Sequence, residues 1–95
     1  MAINARIMVS GGVYAKSMTM TDDNPTRFAV SHKKLWDVII LVETNSMLLG
    51  SSMRQVYTVG AGEAVGFTGV DISTLYFKNA GAGSNGKITV LGVEE

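Results

Sequence analysis

The sequence predicts an all-β fold, a small antiparallel β-sandwich or barrel of about eight short strands. Three observations carry this. Apolar residues alternate at period two in several segments, glycine-centred turns recur every 8–12 residues, and no segment carries an apolar stripe at helical spacing. With 95 residues the chain is one domain, residues 1–95.

Taken in order, Ile3, Ala5, Ile7 and Val9 share one side of an extended segment before Gly11-Gly12 turns the chain. Residues 1–12 are therefore expected to form an extended arm or an added strand. Val13 to Met20 continues extended, with neither side strongly charged. Thr21-Asp22-Asp23-Asn24-Pro25 is a turn: Asp and Asn bond their own backbone, and Pro25 has no N–H to continue a ladder. A short strand from Arg27 to Val30 leads into the polar Ser31-His32-Lys33-Lys34.

The run Leu35 to Thr44 is the longest strand expected. Strict alternation puts Trp36, Val38, Ile40 and Val42 on one face, which is assigned to the core. Leu35, Ile39 and Leu41 then make most of the other. A strand apolar on both sides is either sandwiched or covered by another subunit. Beyond it, Met47 to Gly50 and Arg54 to Val59 are short strands, Gly60-Ala61-Gly62 a turn, Glu63 to Thr68 a strand and Gly69 a bend. Asp71 to Thr74 makes a brief turn before Leu75 to Lys78, and a loop from Asn79 to Gly86 precedes the last strand, Lys87 to Val93.

Composition excludes several classes. Eight basic residues balance eight acidic ones, and the longest basic run is Lys33-Lys34, too little to neutralise a row of phosphates, so no nucleic acid is expected as partner. The longest apolar stretch, Val38 to Val42, is far short of the ~20 residues that span a bilayer, and no membrane association is expected. Zero cysteines remove disulfides, thiolate zinc sites and cysteine nucleophiles. The chain is 46% hydrophobic and only 17% charged, which points to apolar surface that self-association or docking would cover.

The candidate chemistry is thin. Gly81-Ala82-Gly83-Ser84-Asn85-Gly86 spells G-x-G-x-x-G, but no helix follows and only nine residues remain, so it reads as a hairpin loop rather than a phosphate cradle. Asp22-Asp23-Asn24 lacks the ligand spacing of a calcium loop. His32, the single histidine, sits in a polar turn with no nucleophile elbow around any serine. The aromatic set of Trp36, Tyr14, Tyr57, Tyr76, Phe28, Phe67 and Phe77 reads mostly as core or subunit interface, with a ligand-stacking face as the alternative. No catalytic, cofactor or metal site is assigned, and no enzymatic activity is expected.

From Met47 onward the order of elements resembles the small β-sandwich virion proteins of tailed bacteriophages. The resemblance rests on Met47-Leu48-Leu49-Gly50-Ser51-Ser52, on the Gly60-Ala61-Gly62-Glu63 turn, on Val70-Asp71-Ile72-Ser73-Thr74-Leu75-Tyr76-Phe77-Lys78 and on the glycine loop that follows. It implies a non-enzymatic structural subunit that decorates and stabilises a capsid as a trimer or dimer bound to major capsid protein, located on the virion surface after assembly in the host cytoplasm. A tail or head-completion adaptor and a receptor- or glycan-binding fibre module are the alternatives. Met18, Met20, Leu35, Ile39 and Leu41 are the expected interface anchors.

Overall fold

The structure is a computed structural model that describes residues 12–94. Eight strands follow in chain order: β1 (Val13–Thr19), β2 (Thr26–Arg27), β3 (Lys34–Thr44), β4 (Met47–Gly50), β5 (Gln55–Val59), β6 (Ala64–Asp71), β7 (Tyr76–Asn79) and β8 (Lys87–Glu94). They pair into two antiparallel four-stranded sheets, ordered β1-β8-β3-β6 and β2-β7-β4-β5. The expected class is thus observed, and of its two forms the sandwich. The segment Ile3 to Val9, the expected arm, lies outside the described residues.

The inner faces meet in one core. The first sheet supplies Leu35, Val38, Ile40, Val42, Ile88 and Val90; the second supplies Met47, Leu49, Val59 and Phe77. Connecting segments add Met20, Phe28, Ile72 and Leu75, with the Phe28 and Phe77 rings 4.6 Å apart at a 42° tilt. Full burial of such side chains stabilises by about 1.5–3 kcal/mol each, which is how eight short strands hold together.

The turns obey their residues. Gly62 takes φ 86° in the turn that carries the chain from β5 in one sheet to β6 in the other, and Asn45 takes φ 58° between β3 and β4. Both are types that tolerate the left-handed region. Asp71 caps the 71–74 turn: its Oδ1 accepts from the Ser73 N–H (2.9 Å) and hydroxyl (2.7 Å), and Leu75 then drops into the core.

The largest departure from strict alternation lies in β3. Asp37 adopts φ 49°, and the β3–β8 register shifts between Trp36 and Ile39. This is a β-bulge: one extra residue flips the phase of everything before it. Leu35 therefore joins Val38, Ile40 and Val42 inside, fully buried, while Trp36 turns out and is 37% exposed. The assignment of Trp36 to the core is corrected accordingly, and Leu35 is a core residue rather than a member of the outer face. β6 accommodates the turned-out indole with Gly69, where a Cβ would come within 2.7 Å of the ring. Instead of bending at Gly69, β6 runs on to Asp71. The strand expected from Arg27 to Val30 is only Thr26–Arg27, because Phe28 leaves the ladder to fill the core.

Candidate functional site

The motif-like segments resolve into structure. Gly83, in the glycine loop, has φ 75°, and its N–H donates to both carboxylate oxygens of Asp23 at 3.0 and 3.2 Å. The loop's amide thus already holds an anion, and it is the protein's own. Buried Asn79 completes the tie by donating to the Asp22 carbonyl (3.1 Å), Asp23 Oδ1 (2.8 Å) and Asn85 Oδ1 (3.0 Å) while accepting from the Gly86 N–H (3.0 Å). The Asn79 amide first and the Gly83 N–H second hold the Asp23 carboxyl below the usual carboxylate range. Asp22 closes its own turn by accepting from the Asn24 N–H at 3.0 Å. Among the described residues, no three His, Cys, Asp or Glu side chains converge as a metal site.

His32 stands beside Asp71, its Nδ1 donating to Oδ2 at 2.7 Å. The carboxylate can only accept, so the ring nitrogen carries the proton there. The Ser73 hydroxyl, then the Lys33 N–H, then His32 drive the Asp71 carboxyl far below its ordinary range. The imidazole is almost fully exposed, and Asp71 Oδ1 also accepts from the Lys33 N–H, so this cluster fastens the 71–74 turn to the start of β3.

Concavity lies elsewhere. β5 and β6 are edge strands of different sheets, and residues of both line one concavity. A cavity of about 340 Å³ opens there, walled by Leu49, Gly50 and Tyr57 from the second sheet, by Val65, Gly66 and Phe67 from β6, and floored by Leu75. Val65 and Phe67 point inward, half-buried against the core; Tyr57 stands 60% exposed at the rim with its phenol available. A second depression of about 400 Å³ adjoins it, sharing Tyr57 and Val65 but lined by Thr58 and Glu63, so the groove is apolar at one end and polar at the other. Glu63 is fixed in place, one carboxylate oxygen accepting from the Gly60 N–H at 2.8 Å. Gly50 is required where the groove wall turns into β5: a Cβ there would sit 2.0 Å from the Arg54 carbonyl.

Of the five residues expected at an interface, Ile39 and Leu41 are exposed on the outer face of β3, Met18 is half-buried against the core, and Met20 and Leu35 are buried. The sequence reading named Tyr57 and Phe67 only within a general aromatic set. The available signal was only their place on successive strands either side of the Gly60–Gly62 turn.

Fold and groove together define a two-sheet β-sandwich with a ligand-sized apolar cleft at its open edge. A scan against protein-family models gives no match, and neither does a search of curated proteins. Among solved structures, the fold is shared with the polyketide cyclase RemF from Streptomyces resistomycificus, at 20% identity and a TM-score of 0.55. The match covers 87% of this chain and 55% of that one, so the chain spans little more than half the cyclase's length.

These comparisons correct the resemblance to phage virion proteins and the capsid-decoration role drawn from it, with its adaptor and fibre alternatives. The solved structure that shares the fold is that of a polyketide cyclase, not of a virion protein. The segments that carried the resemblance are local turn solutions, such as the Asp71 cap, that many sandwiches need. The capsid partner and virion location had no other support. The expectation of no enzymatic activity is corrected on the same ground: the fold is shared with a protein named as a cyclase.

Proposed function

We propose that the chain binds a small, flat, largely apolar molecule of the polyketide type in the groove between β5 and β6, and promotes its reaction by holding it in a folded shape. The observation that carries this is the cavity itself: its volume falls in the range of small-molecule sites, and its walls are apolar with few polar groups, as such sites are. The name of the fold-sharing cyclase supports the choice of ligand class.

The chemistry suits a carbonyl-rich chain or fused ring. Phe67 offers an aromatic face, Leu49, Val65 and Leu75 exclude water, and the Tyr57 hydroxyl can donate to a ligand oxygen at the rim. Thr58 and Glu63 receive polar substituents at the far end. Catalysis by such a surface is orientation: confining a flexible chain so that reacting carbons approach replaces an improbable encounter with a held geometry.

The test is a calorimetric titration with a hydroxyanthraquinone as probe. Saturable binding is expected, weakened more than about tenfold in Phe67→Ala, the equivalent of 1.4 kcal/mol and less than a buried aromatic contributes. Val65→Trp, which fills the cleft, is expected to abolish it while circular dichroism stays unchanged. Absence of saturable binding, or equal binding by Val65→Trp, would overturn the proposal.

A further inference from the structure

The bulge at Asp37 has put a tryptophan where strict alternation would hide it, and the result is a second apolar feature on the far side of the first sheet. Along the exposed side of β3 stand Lys34, Trp36, Ile39, Leu41 and Glu43 in that order, with Asp37 also exposed at the bulge between Trp36 and Ile39. Ile39 is 51% exposed and pairs with Leu91 of β8, 47% exposed, which in turn pairs with Ala15 of β1. On the other side Ile39 faces Gly66 and Trp36 faces Gly69, so the sheet is shallow there. Exposed large apolar side chains on a mid-sheet strand are unusual unless something covers them.

The two ends of the stripe carry opposite charge. At one end the Lys34 ammonium lies 4.8 Å from the centre of the Trp36 ring. At the other, Glu43 accepts from the Thr89 hydroxyl and lies 3.8 Å from the Lys87 ammonium. Ile39 is midway. Apart from Asp37 at the bulge, a cation, three apolar residues and a carboxylate flanked by Lys87 follow one another, a pattern complementary to its own reverse.

We infer that this face is the interface of a homodimer in which two copies pack sheet to sheet about a two-fold axis that lies between the faces and crosses β3 above Ile39. Such an axis sets Lys34 of each copy against the partner's Glu43 and seats the Trp36-Ile39-Leu41 stripes on one another. Isologous packing of this kind needs a self-complementary patch. Four strands at about 4.8 Å spacing, seven to eleven residues long and about eight on average at about 3.3 Å each, give a footprint of about 19 by 27 Å. That is close to the lower end of stable interfaces, about 600 Å² per partner. The face lies across the sheet from the β5–β6 groove, so this inference stands apart from the binding reading.

Sedimentation velocity of the full chain over a wide concentration series tests it. The wild type is expected to be a dimer. Ile39→Asp, at the axis, is expected to raise the dissociation constant by about a hundredfold, as central hot-spot losses do, with the dichroism spectrum unchanged. Lys34→Glu and Glu43→Lys are each expected to weaken the dimer, and the double variant to recover it, because only the two-fold pairing brings these positions together. A wild type that is monomeric throughout, an Ile39→Asp dimer as tight as wild type, or a double variant no tighter than the single ones would overturn the inference.

Discussion

Truncating Leu35 and Trp36 one at a time separates the bulged β3 from a regular one. In a regular strand the tryptophan is core, and its loss costs about 3–5 kcal/mol, while the leucine is superficial. The structure reverses the two. Leu35 is completely buried, and its side chain fills the space left by the missing Cβ of Gly92, where that atom would come within 3.1 Å of it. Backbone on that side is held in the ladder and cannot collapse into a vacancy, which places Leu35→Ala in the middle of the range for buried leucines, about 3–4 kcal/mol. Trp36 is 37% exposed and rests on Gly69, so Trp36→Ala is expected to cost no more than about 1.5 kcal/mol. A 95-residue domain has about 5–14 kcal/mol in total, so the leucine variant forfeits a large share and the tryptophan variant a small one. Urea denaturation of dilute protein followed by far-ultraviolet dichroism measures both. Equal losses, or a larger loss for Trp36→Ala, would refute the bulge and with it the inside–outside assignment of β3.

Three further outcomes follow from the same structure. Asp37→Val forces a β-branched residue to φ 49° and is expected to destabilise by about 1–2 kcal/mol in the same denaturation assay, whereas Asp37→Gly is tolerated. Asn79→Ala removes three donated bonds and leaves the Gly86 N–H without its acceptor, so a loss of about 2–3 kcal/mol and a lower melting temperature are expected. The Asp71 carboxyl is held below its unfolded value, so its contribution is fully present above the ordinary carboxylate pKa of 3.8 and is lost as pH falls below it toward the depressed folded value. Thermal melts between pH 6 and about 2 are expected to fall less steeply for Asp71→Asn than for the wild type.

Much of this fold is legible because turns and alternation are local. The alternation from Val38 to Val42, the turn at Gly60–Gly62 and the turn at Asp71–Thr74 are each decided by a few neighbouring residues, and each is where the sequence predicts it. The bulge at Asp37 is not legible in that way. Nothing in Leu35-Trp36-Asp37-Val38 forces a left-handed residue; it is chosen because the sheet as a whole gains by burying Leu35 against Gly92 and laying Trp36 over Gly69, partners more than 30 residues away. The β3 residues expected at an interface divide along the same line, with Ile39 and Leu41 beyond the bulge keeping the outer face expected of them and Leu35 before it crossing to the core. The groove is harder still to foresee. Its walls belong to strands of different sheets that share no ladder, so Tyr57 and Phe67 become neighbours only through the stacking of one sheet on the other.

The most direct measurement is an amide chemical-shift titration of the wild-type chain with the hydroxyanthraquinone probe. Saturable shifts concentrated at Leu49, Gly50, Tyr57, Val65, Gly66 and Phe67, absent from β1 and the outer face of β3, are the expected result. Shifts confined to that outer face, or none at any probe concentration, would contradict a ligand site between β5 and β6.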